Sequence, residues 1–339
     1  MLQFQGIRSP NSLNTLRWAY DKTDNSLRSD NLFYHIAQNI QRKGLLIPFH
    51  RRICFPALST LPDSLGKLNN LDIKSIMIGT CKIIKVGARM QIVTFNIRCD
   101  YGQDGENNFV NRKDLIEKKI KEEQPDILCF QEVLPHVAEW LKSNLTDYYV
   151  IGCGRDSKLE NEQTCIAYRK ELFNMVKMEV FWLSDTPEVP GSRYSNQSEC
   201  PRTCTVLYLQ EIKTAKVFRV YNTHLDHIGS DARKQGLSLI MEKIIKADYL
   251  GNIPFILTGD FNALPDSEEL AVLKNYDKLY DCTESLDGTF HDYGRIKDEE
   301  KIDYIIADKA FGCKEAVRWT DCVDGIYLSD HYPVSVVLH

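Results

Sequence analysis

The sequence lacks any uninterrupted apolar run close to the about 18 to 20 residues that a membrane-spanning helix needs. Its opening stretch, MLQFQGIRSPNS, also lacks the compact apolar segment and small-residue cleavage site of a signal peptide. We therefore expect a cytoplasmic protein with no membrane span. The remaining composition, 43% hydrophobic and 26% charged among 339 residues, is typical of a globular chain with an ample core.

Signals for cysteine pairing are also missing. The 11 cysteines are odd in number, and no two of them have the CxxC spacing of a zinc or redox motif. Cys200 and Cys204 lie too far from another Cys or His pair to form half of a zinc site. We expect reduced and mostly buried thiols, as in a protein of a reducing compartment.

Glutamate is absent from residues 1–89, which hold 13 Lys/Arg and 5 Asp for a balance of +8. The other 250 residues hold 29 basic and 42 acidic residues, a balance of −13. We interpret 1–89 as a basic, poorly structured N-terminal extension and 90–339 as the folded domain. The extension could be an organellar transit peptide, a membrane-surface or nucleic-acid arm, or the result of a misassigned start. We favour the last interpretation, because Met90 stands directly before the first strong strand pattern.

From Met90 onward the hydrophobic pattern predicts strands with interleaved helices. The predicted strands are 91–97, 126–130, 148–152, 164–169, 176–183, 205–212, 217–224, 255–258, 302–307, 317–320 and 333–338, and the predicted helices are 111–123, 136–143, 231–250 and 266–273. The short KTAK connection at 213–216 predicts an antiparallel hairpin. Mixed strands without strict βαβ alternation indicate an α/β fold, a four-layer sandwich of two packed mixed β-sheets flanked by helices.

Polar side chains occur at or near the ends of six of these strands. They are Asn96, Glu132, His224, Asp226, Asp260, Asn262, Asp303, Asp330 and His331. Each has an ordinary structural explanation, such as a satisfied core amide, a buried histidine, a helix cap or, for Asp260 and Asn262, an Asx turn. Side chains at strand ends collect on one rim of an α/β sheet, however, so the whole set can converge.

Five of these side chains are carboxylates, which would repel one another on a shared rim unless a cation lay among them. Oxygen donors with few imidazoles and no thiolates favour Mg²⁺ or Mn²⁺ over Zn²⁺. The pattern therefore predicts a divalent-metal site.

The motifs TFNIR, FQE, NTHLDH, GDFNA, KIDYI and SDHYPV, in this order, resemble those of the endonuclease/exonuclease/phosphatase superfamily. The resemblance runs from about residue 90 to the last residue, leaves out 1–89, and is greatest to uncharacterised bacterial-type members. It implies the four-layer fold, Mg²⁺ or Mn²⁺ as cofactor, and a hydrolase domain at 90–339 that cleaves a phosphoester by in-line attack of water.

The resemblance also implies roles for individual residues. Asn96 and Glu132 would hold the metal, with Asp330 near it. Asp260 would orient and deprotonate the attacking water, and Asn262 and His224 would donate to the phosphate oxygens. His331, paired with Asp303, would stabilise the transition state or assist proton transfer. Whether Asp260 or His331 is the formal base, and whether one or two metals bind, stay open.

Five further residues are candidates for substrate binding, namely Asp226, Arg202, Arg233, Phe290 and His291. Arg202 and Arg233 could meet substrate phosphate or form ordinary salt bridges. Phe290 could stack on a base or sugar or belong to the core. The position of Asp226 varies between branches of the superfamily, which leaves its role as ligand or support open.

The expected function is that of a metal-dependent phosphoesterase acting on a phosphodiester or phosphomonoester. The alternatives are a nuclease that acts on DNA or RNA and, more remotely, a pseudoenzyme that only binds phosphate. A nuclease groove benefits from Lys and Arg, so the balance of −13 favours a small phosphoester or a short nucleic-acid end. We expect a monomer without an obligate protein partner.

Overall fold

The structure, a computed structural model, describes residues 89–248 and 251–339. The predicted N-terminal extension lies outside these residues except for Arg89, and so do the last two residues of the predicted helix 231–250. No helix of the described part is long and apolar enough to cross a membrane. The nine cysteines of the described part are all unpaired, as the spacing predicts.

The strands of the described residues are β1 (Met90–Asn96), β2 (Ile127–Gln131), β3 (Tyr148–Ile151), β4 (Ile166–Arg169), β5 (Phe173–Trp182), β6 (Thr203–Glu211), β7 (Val217–His224), β8 (Phe255–Asp260), β9 (Leu279–Asp281), β10 (Asp303–Asp308), β11 (Cys313–Arg318), β12 (Cys322–Val323), β13 (Ile326–Tyr327) and β14 (Val334–Leu338). The helices are α1 (Phe109–Glu123), α2 (Pro135–Asn144), α3 (Ser230–Asp248) and α4 (Ala271–Lys274), with 3₁₀ turns at Gly105–Asn107 and Asp292–Gly294.

Two mixed sheets of six strands each carry the fold. Their strand orders are β11-β14-β1-β2-β4-β3 and β5-β6-β7-β8-β10-β9, while β12 and β13 form a separate two-stranded ladder. In each large sheet one adjacent pair, β1 with β2 and β7 with β8, is parallel, and the other neighbours are antiparallel.

Three apolar clusters separate four layers. Ile116 of α1 and Leu141 of α2 pack on the outer face of the first sheet. Ile240 of α3 packs on the outer face of the second. Ile92 and Ile256 belong to the cluster that joins the inner faces of the two sheets. The predicted four-layer α/β sandwich is confirmed.

Most predicted elements are present with shifted ends. The hairpin predicted at KTAK is confirmed, since β6 and β7 pair antiparallel on either side of it. The predicted helix 266–273 is wrong over most of its length, because only Ala271–Lys274 is helical and the residues before it form turns. The short strands β9, β12 and β13 were not predicted, since two or three residues carry too little periodicity.

Strand direction brings the polar strand ends to one edge. Asn96 pairs with Gln131 at the end of the parallel strands β1 and β2. His224 pairs with Asp260 at the end of β7 and β8, and Asp303 pairs with Asp260 at the start of the antiparallel strand β10. We call this edge, defined by these five residues, the site edge.

Candidate active site

Asn96 lies at the centre of the polar cluster on the site edge. Its side-chain Nδ2 is 2.9 Å from Glu132 Oε1 and 3.0 Å from Asp260 Oδ2. The same amide therefore links a carboxylate that follows the first sheet to one that ends the second. The second carboxylate oxygen of Glu132 accepts from the backbone N–H of Cys99 at 2.8 Å.

Gly259, directly before Asp260, lies in close contact with the backbone of β7. The glycine has φ of +149°, and a Cβ there would lie 2.0 Å from the carbonyl oxygen of Thr223 on β7. The strand continues through Asp260, and the absence of a side chain at Gly259 allows β7 to approach.

The GDFNA motif forms an Asx turn at the cleft. The backbone N–H of Asn262 donates to Asp260 Oδ1 at 2.9 Å, which is the Asx turn, and Asn262 also lines the cleft. Asn262 and Glu132 are both in the left-handed region, with φ of 47° and 61°. Such backbone conformations are uncommon outside glycine and cluster at functional sites.

His331 and Asp303 form a buried pair beside Asp260. Nδ1 of His331 is 2.8 Å from Asp303 Oδ2, and its Nε2 is 3.8 Å from Asp260 Oδ2. The hydroxyl of Thr289 donates to the same Asp303 oxygen at 2.6 Å. The ring of Phe290 packs against the ring of His331 with centroids 4.9 Å apart.

The pKa values of this pair and of Asp260 move away from their usual ranges. Burial and the neighbouring Asp303 carboxylate raise the pKa of Asp260 to about 7. Burial works against the imidazolium of His331, but the charge and hydrogen bond of Asp303 outweigh it and raise its pKa to about 10. A protonated His331 therefore lies beside a carboxyl group that titrates near neutrality.

The pKa values of Glu132 and His224 both lie below their usual values. Burial opposes the Glu132 carboxylate, yet the hydrogen bonds from Asn96 and Cys99 help to hold its pKa below the usual value. Burial and the positive charge of Arg202 hold the pKa of His224 well below its usual value, so its imidazole is neutral. Its Nε2 is 3.5 Å from Asp260 Oδ2.

Asp330 lies next to a cation that sequence analysis missed. Nη1 of Arg98 is 3.3 Å from Asp330 Oδ2, while its Nε donates to Asp104. Burial raises the pKa of Asp330, and the Glu132 carboxylate adds to this rise. Arg98 belongs to the TFNIR motif, two residues after Asn96, so its position in that motif is the sequence signal that could have identified it.

The donor set at the site edge fits a hard divalent cation. Oxygens or ring nitrogens of Glu132, His224 and Asp260 lie within 4.8 Å of one another, and so do those of Asp260, Asp303 and His331. Buried carboxylates whose pKa values are raised by one another are relieved by a bound cation. The carboxylates of Glu132 and Asp330 are oxygen donors of the kind that Mg²⁺ prefers. The Asn96 side-chain carbonyl is a donor of the same kind, and in this structure it accepts from the backbone N–H of Arg98 at 3.0 Å.

A cleft of about 370 Å³ opens onto these groups. Of the predicted site residues, it is lined by Glu132, Arg202, His224, Asp260, Asn262, Phe290, Asp330 and His331. Asn96 and Asp303 lie directly behind the lining, in hydrogen-bond contact with it.

Three predicted substrate-binding residues are not among those that line the cleft. Arg233 donates to Glu269, with Nη2 2.7 Å from Oε1, and to the backbone carbonyl of Asp226. The Asp226 carboxylate accepts from the backbone N–H groups of Ser198 and Gly229. His291 is buried, stacks on Tyr332 and accepts from the N–H of Gly294. These contacts are those of residues that support loops.

Other charged residues line the cleft without having been predicted. Arg155 and Glu162 form an ion pair with Nη2 2.6 Å from Oε1, and both face the cleft beside Arg202. They stand in a loop before β4 that has no periodic pattern, so no sequence signal marked them. His227 also lines this side of the cleft.

Comparison with known proteins agrees with this geometry. A family model described as the endonuclease/exonuclease/phosphatase family matches residues 93–331. An endonuclease/exonuclease/phosphatase from Bacteroides vulgatus is 34% identical with a TM-score of 0.69, covering 74% of this chain and 98% of that one. A mannosyl-6-phosphatase from Bacteroides thetaiotaomicron is 30% identical with a TM-score of 0.68, covering 74% and 99%. An uncharacterised protein of Acanthamoeba polyphaga mimivirus is 26% identical over 246 residues, which is 67% of this chain and 91% of the relative.

Proposed function

Because the chain belongs to the endonuclease/exonuclease/phosphatase family, whose members hydrolyse phosphoester bonds, we propose that it is a divalent-metal-dependent phosphomonoesterase acting on a small organic phosphate. The observation that carries the proposal is the hydrogen-bonded cluster of Asn96, Glu132 and Asp260 beside the His331–Asp303 pair at the cleft. A pseudoenzyme would have no need to keep this complete set.

Glu132, Asn96 and Asp330 would hold the metal, which is Mg²⁺ or Mn²⁺ by its oxygen donors. When bound, such an ion neutralises phosphate charge and lowers the pKa of a nearby water. The chain's own residues supply the other parts of the reaction.

Asp260 is the proposed general base. Its raised pKa suits proton acceptance near neutral pH, and Asn96 and Asn262 fix both of its oxygens. Its neighbour His331, held as imidazolium by Asp303, would stabilise the negative charge that builds on the phosphate. The neutral His224 and the amide of Asn262 would donate to non-bridging oxygens.

A small substrate is favoured by the charges of the cleft. Its lining includes Arg98, Arg155 and Arg202 but no lysine among the described residues, and these arginines face Glu132, Glu162, Asp260, Glu300 and Asp330. A nucleic-acid groove gains affinity from excess basic charge along the backbone path, which this lining lacks. The mannosyl-6-phosphatase similarity at 30% identity supports a sugar phosphate as the first substrate to test.

The test is Mg²⁺-dependent release of phosphate from mannose 6-phosphate and glucose 6-phosphate, compared with a bis-aryl phosphodiester and with single-stranded DNA and RNA. We expect Glu132→Gln to lower kcat by about a thousandfold or more, because several kcal/mol of metal-linked stabilisation are lost. Glu139→Gln, an exposed glutamate on α2, is the matched control and should retain full activity.

Activity that survives Glu132→Gln would contradict the metal assignment. Turnover confined to nucleic acids would replace the phosphomonoesterase with the nuclease alternative.

A further inference from the structure

Arg202 is a buried guanidinium whose hydrogen-bond donors are mostly unpaired. Only 5% of its side chain is exposed. Its Nη2 contacts Nδ1 of His227 at 2.9 Å, whereas its Nε and Nη1 have no hydrogen-bond partner in the described residues. The contact with His227 is to a ring whose pKa is lowered by burial and by Arg202 itself, so it brings no negative charge.

The carboxylates around Arg202 pair with it loosely or not at all. Asp226 Oδ1 is 3.7 Å from Arg202 Nε, an ion pair beyond hydrogen-bond distance, and this oxygen accepts from the hydroxyl of Ser198. Glu162 is paired with Arg155 at 2.6 Å. Burial and the like charge of Arg155 lower the pKa of Arg202, although the carboxylates of Glu162 and Asp226 act in the opposite direction. A buried guanidinium with unpaired donors is costly unless acceptor groups meet them.

The cleft is the route by which such an anion can arrive. Arg155, Arg202 and His227 line it together with His224 and Asp260. Behind them lies a void of about 10 Å³, which admits at most one water. Arg202 directly precedes β6, which is separated from β8 by β7 alone. Two strand spacings place the backbone of Arg202 about 10 Å from the backbone of Asp260.

We propose that Arg202, with Arg155 and His227 beside it, binds a second anionic group of the substrate, so that the preferred substrates are small organic phosphates carrying another phosphate or a carboxylate. The identity of these substrates rests on the proposed function, but the binding of the second anion does not.

Three sugar phosphates with the same 6-phosphate form a matched set, namely glucose 6-phosphate, glucose 1,6-bisphosphate and 6-phosphogluconate. For the full-length chain with Mg²⁺, we expect one or both of the sugars that carry a second anionic group to have a KM at least about tenfold lower than that of glucose 6-phosphate. A charge-assisted hydrogen-bonded pair gives a difference of this size. The bisphosphate and the carboxylate arms distinguish the two kinds of anion.

Arg202→Met should raise the KM of the preferred sugar by about tenfold or more relative to the KM of glucose 6-phosphate. Because Arg202 also lowers the pKa of His224, a change in kcat shared by all three sugars is expected, so the ratio of the KM values is the readout. Lys234→Met, which removes an exposed charge from α3, is the control and should change none of these values. An equal rise in KM for all three sugars would overturn the proposal, because Arg202 would then contact the scissile phosphate.

A binding measurement separates this proposal from the proposed function. Calorimetric titration of the full-length Asp260→Asn variant with the three sugars needs no turnover and keeps Arg202. Tighter binding of a second anion without any turnover by the wild-type chain would support the anion site and refute the hydrolase. Turnover by the wild type with equal binding of all three sugars would do the reverse.

Thermal unfolding excludes a merely structural role. Because Nε and Nη1 of Arg202 have no hydrogen-bond partner and Asp226 lies 3.7 Å away, Arg202→Met should keep or raise the Tm of the free protein, since a desolvated charge is removed. A loss of Tm by Arg202→Met, together with equal affinities in the titration, would show that the guanidinium only supports the fold.

Discussion

Thr289 acts on the site through Asp303 and does not itself line the cleft. It is fully buried, and its hydroxyl accepts from the N–H of Asp303 while donating to the carboxylate oxygen that also meets His331. The hydroxyl therefore restricts the Asp303 carboxylate to the orientation that holds the imidazolium.

We expect Thr289→Val to lower kcat by about tenfold or more with little change in KM, because a hydrogen bond to a charged group is lost. Thr289→Ser should restore most of the activity, since it keeps the donor. Thr283→Val is the matched control, as Thr283 is also buried and donates to a carboxylate, that of Asp281, away from the cleft. Equal losses in Thr289→Val and Thr289→Ser would refute the positioning role.

At the residue scale, the sequence predicted which polar groups meet at the site but not which partners hold them. Asn96, Glu132, Asp260 and His331 converge as their strand ends predict. Arg233 pairs with Glu269, 36 positions away, and no local pattern specifies such a pairing. The end of a strand can be predicted because the hydrophobic periodicity of the sequence stops there. The partner of an ion pair depends on which loops, distant in sequence, pack together in the fold.

At the scale of elements, α1 is hydrogen-bonded to the two loops that contain Arg98 and Asp330. Arg112 on α1 is fully buried and donates to the backbone carbonyls of Asn107, Ile97 and Leu328. Ile97 directly precedes Arg98, and Leu328 lies two residues before Asp330.

Arg112→Met should lower the free energy of unfolding by about 2 to 4 kcal/mol, because it leaves buried carbonyls without donors. It should also weaken Mg²⁺ binding, since Arg98 and Asp330 lose their anchor. Urea unfolding and Mg²⁺ titration measure the two effects. Lys118→Met on the exposed face of the same helix should change neither. Unchanged stability in Arg112→Met would contradict the anchoring role.

Strands that are buried on both faces of their sheet could be predicted from the sequence. β1, β2 and β8 read as continuous apolar runs because helices cover one face of their sheet and the other sheet covers the second. The segment before α4 was predicted as helix although it forms turns, since a few apolar residues at helical spacing do not decide between the two.

At the scale of the whole molecule, one group of the site, Asp260, makes the stability of the metal-free fold depend on pH. The folded-state pKa of Asp260 is about 7, above the 3.8 of an unperturbed aspartate. The folded state therefore holds a proton that the unfolded chain has released between these two values, so this group makes stability fall as pH rises from about 4 to about 7.

Added Mg²⁺ should therefore raise the Tm of the full-length chain more at pH 8 than at pH 5.5, because Asp260 is ionised only at the higher pH. At an Mg²⁺ concentration 100 times its Kd, the gain is about 2.7 kcal/mol. Removal of the metal with EDTA should reverse it, and Glu132→Gln should abolish it. A gain that is the same at both pH values would exclude Asp260 from the metal-linked group.

The Asn96 side chain has a spectroscopic consequence. One of its amide protons faces a proposed metal ligand, Glu132, and the other faces the proposed base, Asp260. A single ¹⁵N-labelled side-chain amide would thus give two proton resonances that report separately on the metal side and on the water side of the reaction. Titration with Mg²⁺ would move the first, titration of pH through 7 would move the second, and any coupling between the two events could be read from one pair of peaks.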